Sequence, residues 1–311
     1  MTLCPEIEDL STQPSKHRIH QSSKKEKMND LPADSLNAKK TFRECGTCSQ
    51  TFGHILNREF GQKKEMEERA LDLMAGGVLN TGHQCGMLWG ATLAVGAESF
   101  RRHEDHDEAI ALAVTATQHI VDSFINITNT VNCREITGYN LNSVFGLVKF
   151  MLKTMVKGMN NSPCFNLAEQ WAPKAVQSAK EGLADESIHL TQKPISCASL
   201  VAKKMGATDE EAVMVAGFAG GMGLSGEGCG AVGAALWMIA LAWCKAHPGK
   251  SPPYLNNPEA RKLLKQFYAV TDSEMRCETI CGRRFATIND YTEYIIEGGC
   301  EKVIEVLTGV A

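Results

Sequence analysis

Apolar residues after about residue 40 recur every three or four positions, which is the spacing of one face of an α-helix. Glycines such as Gly61 and Gly206 end two of these stretches, at places where helices commonly stop. Alternation of apolar and polar residues over strand length is not convincing anywhere. The pattern therefore predicts an all-α protein, with helices at Phe52–Phe60, Glu65–Met74, Met87–Ser99, Asp107–Ile127, Ala198–Met205, Asp209–Ala219, Ala231–Cys244 and Pro258–Tyr268.

Residues 1–40 have a different pattern. They are rich in Ser, Lys, Asp, Glu and Gln, and their few apolar residues show no periodicity. Such a segment cannot bury enough apolar surface to offset the entropy of ordering the chain. We therefore predict a disordered tail over residues 1–40.

Four cysteines recur in the same order in each half of the chain. Cys133 follows Cys85 by 48 residues, and Cys277 follows Cys229 by the same 48 residues. Glycines lie nine, eight and three residues before both Cys85 and Cys229, and one follows each of them directly. This self-similarity indicates an internal duplication. The two sets are Cys48, Cys85, Cys133 and Cys164, and Cys197, Cys229, Cys277 and Cys300.

The duplication divides the chain into tandem parts. We predict two homologous helical domains with a pseudo-twofold relation, over residues 41–171 and 194–311, joined by a linker over residues 172–193. A chain of 311 residues is long enough to give each domain a core of its own.

Charge and apolar composition exclude some partners. The net charge is −4, and acidic and basic residues are mixed along the chain, so the sequence shows no basic region that would bind nucleic acid or an anionic membrane. The most apolar segment, residues 231–244, is shorter than the roughly 20 residues that span a bilayer. The N-terminus has no signal-peptide pattern. We expect a cytoplasmic protein with a redox partner protein, no nucleic acid and no membrane, and the duplication is compatible with a homodimer.

Twelve cysteines in a reducing compartment suggest metal ligands, redox thiols or small buried hydrophobic residues rather than structural disulfides. Four converging thiolates can hold a [2Fe-2S] or [4Fe-4S] cluster, or a structural zinc ion as the alternative. In each repeat a Gly-x-x-Cys-Gly segment precedes a helix. Because glycine has no side chain, the backbone of this segment can come close to a bound cluster or metal ion. The glycines expected to lie at the cofactor are Gly82, Gly86, Gly226 and Gly230.

Other interpretations rest on smaller features. A thiol–disulfide oxidoreductase would use Cys45 with Cys48, or Cys277 with Cys281. The chain has no C-x-x-C-H sequence, so it is predicted to carry no c-type haem. The acidic and histidine-rich residues 103–108 are interpreted as a solvated loop and helix cap, and the G-x-G-x-x-G at 221–226 lacks the preceding strand of a dinucleotide site.

The combination of cysteines and glycines resembles a known family. Residues 197–200, 216–223 and 226–233, with Cys277, Gly282 and Cys300, are similar to the redox-active proteins named by the motif C-GCAxxG-C-C, a domain that also occurs in split-Soret cytochrome c. The resemblance covers nearly all of residues 194–307 and, less closely, residues 45–170. It implies that the two sets of four cysteines bind clusters or exchange electrons. Repeat one departs from the motif, because Met87 stands where repeat two has Ala231, and Gly90 lies one residue later than Gly233.

Overall fold

The computed structural model describes residues 36–253 and 255–309. In these residues the chain forms fifteen α-helices and no β-strand, which confirms the all-α prediction. Residues 1–35, most of the predicted disordered tail, lie outside the described residues. The helices are α1 (Ala38–Cys45), α2 (Cys48–Glu59), α3 (Glu65–Arg69), α4 (Gly86–Arg102), α5 (His106–Thr128), α6 (Cys133–Thr137), α7 (Val144–Lys157), α8 (Pro163–Gly182), α9 (Cys197–Lys204), α10 (Asp209–Met214), α11 (Gly230–Ala246), α12 (Pro258–Val270), α13 (Cys277–Cys281), α14 (Ile288–Ile296) and α15 (Glu301–Thr308).

The order of helices around the cysteines is the same in both repeats. Seven helices of repeat one, α2 to α8, correspond in order to α9 to α15 of repeat two. A short 3-10 turn follows α3 at Ala70–Met74 and follows α10 at Ala216–Phe218. The two central helices, α4 and α11, are 17 residues long and almost wholly buried. The fold is thus a tandem pair of helical units.

Contacts between the two units are reciprocal. Helix α4 packs on α10 and on the Ala216–Phe218 turn, while α11 packs on α3 and on the Ala70–Met74 turn. The indole Nε1 of Trp237 in α11 donates a hydrogen bond to the carbonyl oxygen of Glu67 in α3 at 3.2 Å. Reciprocal contacts of this kind are what a twofold relation produces. One hydrophobic core runs through both units.

Two equivalent residues meet at this interface. Gln84 and Gly228 each precede the second cysteine of their repeat. The Gln84 side chain is fully buried, and a Cβ on Gly228 would stand 2.5 Å from its Oε1 atom. The glutamine of one repeat therefore fills the space that the missing side chain of the other leaves open.

The segment between the repeats is partly helical. Helix α8 continues to Gly182, through the first half of the predicted linker. Its Pro173 is buried within the helix. A non-helical stretch then leads to α9 at Cys197. Within the described residues the two repeats share one hydrophobic core rather than folding around a free linker.

Helix α5 is the one helix of the described residues that is long and apolar enough to cross a membrane. Length and composition alone are weak evidence, because buried core helices share them. Half of its most apolar stretch is buried, and the helix packs between α4 and α8.

Helix α7 is unusual in what it exposes. It lies beside the cysteines of repeat one and turns apolar side chains outward, including Val144, Phe145 and Val156, each about four-fifths exposed or more. Its other face, with Leu147 and Phe150, lies toward those cysteines. Its counterpart in repeat two, α14, is five residues shorter and buries Tyr291 and Ile295 instead.

Candidate cysteine centres

In repeat one a pair of backbone hydrogen bonds joins the second and third cysteines. The N–H of Cys85 donates to the carbonyl of Val131 at 2.7 Å, and the N–H of Cys133 donates to the carbonyl of His83 at 2.7 Å. These bonds form an isolated antiparallel bridge between Gln84 and Asn132. The two cysteines that lie 48 residues apart in the sequence, Cys85 and Cys133, are thus held together by backbone hydrogen bonds.

Repeat two has the same bridge. The N–H of Cys229 donates to Met275 at 2.8 Å, and the N–H of Cys277 donates to Glu227 at 2.6 Å. The loop before each second cysteine also repeats its hydrogen bonds, with the N–H of Gly82 on the Gly76 carbonyl and the N–H of Gly226 on the Gly220 carbonyl, both at 3.0 Å. The duplication therefore extends to individual backbone contacts.

The first and fourth cysteines approach from helix N-termini. Cys48 is the first residue of α2, and a Cβ on Gly86 would lie 2.7 Å from its sulfur. Cys164 is the second residue of α8, after Pro163. In repeat one all four cysteines line a single cavity of about 230 Å³, which we call centre one.

The rest of centre one is mainly apolar. Helix α7 forms part of its wall through Leu147, Phe150 and Thr154. Phe42 and Phe165, which stack with ring centroids 4.4 Å apart, form another part. Cys45 is not among the lining residues and lies near Thr51 and Glu68.

Repeat two gathers its four cysteines and a fifth, and we call this set centre two. Cys197 begins α9, and Cys300 is the N-cap of α15. The fifth thiol is Cys281, the last residue of α13, whose sulfur lies 3.7 Å from the sulfur of Cys277 and 3.7 Å from that of Cys300. The sequence interpretation left Cys281 outside the set, although its spacing of four residues from Cys277 on a helix could have placed it there.

The four glycines expected at the cofactor divide into two groups. Gly86 lies against the sulfur of Cys48, whereas a Cβ on Gly230 would meet the carbonyl oxygen of Phe218 at 2.1 Å. Gly82 and Gly226 have positive φ angles and lie against Arg134 and Glu278, so they shape the loop. Two other glycines contact cysteines in equivalent ways. Gly77 faces the Cβ of Cys133 and Gly221 faces the Cβ of Cys277.

The thiols of centre one differ in acidity. Hydrogen bonds from the Cys85 thiol and from the N–H of Gly76 hold the pKa of Cys48 below its ordinary value. The bond to Cys48, together with burial, raises the pKa of Cys85 well above that value. Burial also raises the pKa of Cys133, and it raises the pKa of Cys164 to about 12. Cys48 is therefore the thiol of this centre that most readily becomes a thiolate.

Centre two shows the same division. Hydrogen bonds from Cys277 and Cys300 hold the pKa of Cys281 below its ordinary value. The same bonds and burial raise the pKa of Cys277 and of Cys300. Burial raises the pKa of Cys197 to about 11 and that of Cys229 to about 12.

Several features fit a sulfur-ligated group in these centres. Centre two contains the hydroxyl of Tyr291, which is fully buried near Cys277 and Cys300 and faces the sulfur of Cys197. In centre one, Gly86 leaves the sulfur of Cys48 open to the cavity. The donor set is thiol in both centres, which suits iron–sulfur clusters and zinc.

A single metal ion and a cluster require different spacings of the sulfurs. In residues 36–253 and 255–309, no three His, Cys, Asp or Glu side chains converge closely enough to hold one ion. A tetrahedral zinc ion, about 2.3 Å from each sulfur, would draw four sulfurs to about 3.8 Å from one another. A cluster has several metal atoms and spans a wider set of thiols.

The fold and the two centres define a helical protein built from a duplicated four-cysteine unit. The family model described as "Putative redox-active protein (C_GCAxxG_C_C)" matches residues 46–178 and again residues 195–311. The chain belongs to this family, as a tandem member with two copies, and the resemblance found in the sequence is confirmed. Searches among curated proteins and among solved structures found no match.

Proposed function

We propose that this redox-active protein binds one cysteine-ligated iron–sulfur cluster in each repeat. The ligands would be Cys48, Cys85, Cys133 and Cys164 in centre one, and Cys197, Cys229, Cys277 and Cys300 in centre two. The observation that carries the proposal is the backbone bridge that joins the second and third cysteines in the same way in both repeats. It holds these two cysteines at a fixed separation before any metal binds.

Helix N-termini support negative charge at both centres. Cys48, Cys85 and Cys164 lie at the starts of α2, α4 and α8. The positive ends of these helices favour thiolates and the anionic cluster that thiolates hold. Backbone N–H groups add to this, because Gly76 donates to the sulfur of Cys48. Gly220 donates to the sulfur of Cys197 in the same way.

The surrounding residues would keep water away. Met87 and the Phe42–Phe165 pair close the inner side of centre one, and α7 covers another side. In centre two the rings of Phe285 and Tyr291 pack edge to face at 4.9 Å. When bound, a cluster supplies one-electron transfer at a potential that burial and hydrogen bonds to sulfur adjust. Two clusters in one chain would allow two electrons to be passed in succession.

The test is anaerobic purification followed by analysis of iron, acid-labile sulfide and zinc. We expect visible absorbance that bleaches with dithionite, since zinc has neither colour nor redox chemistry. Cys85→Ser and Cys229→Ser should each remove about half of the iron, because each disables one of two equivalent centres. A colourless protein with stoichiometric zinc and no sulfide would replace the cluster proposal with a structural zinc site.

A further inference from the structure

Centre two contains one thiol more than the family motif provides. The sulfur of Cys281 lies between those of Cys277 and Cys300, 3.7 Å from each. That is van der Waals contact between sulfur atoms. A thiol placed between two others can form a bond to either one when electrons are removed.

Centre one has no thiol at the equivalent place. Thr137 follows Cys133 by four residues, as Cys281 follows Cys277 by four, and both residues end a five-residue helix before a left-handed glycine. The hydroxyl of Thr137 donates to the carbonyl oxygen of Cys133 at 2.7 Å. The two centres therefore differ in chemistry as well as in sequence.

The local backbone favours Cys300 over Cys277 as the partner of Cys281. Cys277 is 4% exposed and fixed by the backbone bridge, whereas Cys281 and Cys300 are both partly exposed. Cys281 is followed by Gly282, and Cys300 follows Gly298 and Gly299 with a left-handed φ of 62°. A non-glycine residue in this conformation stores strain, and the adjacent glycines can absorb the small shift needed to bring two sulfurs to about 2.05 Å.

We propose that Cys281 and Cys300 form a dithiol that reduces disulfide substrates, small or protein-bound, when centre two carries no cluster. The activity is separate from the proposed electron transfer, because its attacking thiol, Cys281, is not one of the four proposed ligands. The two states exclude each other at Cys300, which either binds the cluster or takes part in the exchange.

The exchange balances in two steps. The sulfur of Cys281, having lost its proton to solvent, attacks one sulfur of the substrate disulfide and releases the other as a thiolate. Cys300 then loses its proton and attacks the Cys281 sulfur, which releases the second substrate thiolate and leaves a Cys281–Cys300 disulfide. The protein loses two electrons and two protons, and the substrate disulfide gains them as two thiols.

The test uses the full chain, reduced and freed of metal, with dithiobis(nitrobenzoic acid) as the disulfide probe. Trypsin cuts after Arg276, Arg283, Arg284 and Lys302, so one peptide carries both Cys277 and Cys281, and residues 285–302 carry Cys300. We expect these two peptides to be cross-linked, with no probe attached to Cys300. In Cys281→Thr, which gives centre two the composition of centre one, the cross-link should be lost and Cys300 should retain the probe. Cys277→Ser should keep the cross-link.

Two results would overturn the proposal. One is a disulfide within the peptide that carries Cys277 and Cys281, and the other is a probe adduct on Cys300 of the unaltered chain. If Cys281→Thr fails to fold by circular dichroism, the unaltered chain and Cys281→Ser still decide the question. Iron and sulfide contents are measured on separate anaerobic samples. A protein without iron and sulfide would therefore contradict the cluster proposal but not the disulfide exchange, and a missing Cys281–Cys300 cross-link would contradict the exchange but not the cluster.

Discussion

Trp89 and Gly233 occupy the same position in the two repeats and touch each other across the interface between them. Each lies four residues after the second cysteine of its repeat. A Cβ on Gly233 would stand 2.3 Å from the Trp89 ring, which is fully buried. The Gly of the motif in repeat two thus makes room for the tryptophan that replaces it in repeat one.

This contact gives a direct stability test. Gly233→Ala places a methyl group in the space that the Trp89 ring occupies. It should lower the free energy of unfolding by about 1–3 kcal/mol, as overpacking does in other cores. Combining it with Trp89→Leu should recover part of that loss, since the ring no longer occupies the space. Urea unfolding of the two single variants and the double variant measures the coupling. Strictly additive effects would mean that the two residues do not press on each other.

A second prediction separates ligand from core cysteine on one helix. Cys229 precedes α11 and contacts the backbone bridge, whereas Cys244 is buried in the last turn of the same helix. Cys229→Ser should abolish cofactor binding in repeat two, and Cys244→Ser should leave it intact. Iron per chain after anaerobic purification is the measurement. Equal iron in both variants would return Cys229 to the role of a small buried hydrophobe.

A third prediction concerns pH and the carboxyl of Asp72, which accepts a hydrogen bond from Thr47 at 2.6 Å. Burial raises the pKa of Asp72 from 3.8 to about 6. The folded chain then binds this proton more tightly than the unfolded chain does. The contribution of Asp72 to stability is therefore most favourable below a pH of about 4 and is lost as the pH rises through about 6.

The matched variant is Asp72→Asn, which keeps an oxygen for Thr47 but cannot ionise. Urea unfolding from pH 4 to pH 7 should show the original chain losing up to about 3 kcal/mol relative to this variant. If the free energy of unfolding changes with pH in the same way for both proteins, ionisation of the buried Asp72 carboxyl does not destabilise the fold.

A fourth prediction tests the cover over centre one. Phe150 lines the cavity, while Phe145 on the same helix is 79% exposed. Phe150→Ala should open the cavity and make alkylation of Cys133 and Cys164 by N-ethylmaleimide several-fold faster in the metal-free chain. Phe145→Ala is the control and should leave the rate unchanged. Peptide mass spectrometry over time measures both, and equal rates would show that α7 does not shield the thiols.

Much of this architecture could be predicted from the sequence, because the internal duplication can be recognised there. Periodicity places the two central helices within a few residues of α4 and α11, and glycine at 61 and 206 marks the ends of α2 and α9. The two sets of four cysteines could be found from equal spacing, because the bridge that joins Cys85 to Cys133 fixes the length of chain between them.

Other features depend on contacts that no local pattern records. Comparison of the two repeats does not point to Cys281, because its counterpart in repeat one is Thr137, and only its helical spacing from Cys277 indicates a place in centre two. The hydroxyl of Tyr291 reaches the centre from α14, a helix that the apolar pattern did not predict. The glycine after the second cysteine lies four residues on in repeat two, at Gly233, and five residues on in repeat one, at Gly90. This difference has a tertiary cause, since Gly90 packs on the carbonyl of Ser49 within its own repeat.

The Gln84–Gly228 contact has a consequence for the order of the halves. A symmetric pair made from two copies of repeat one would bring two glutamine side chains into the volume of one, and two copies of repeat two would leave that volume empty. Both arrangements lose the fit that the tandem chain has, one by crowding and the other by a cavity. At this position each half therefore fits the other better than it would fit a second copy of itself, as in a heterodimer whose two partners are joined end to end.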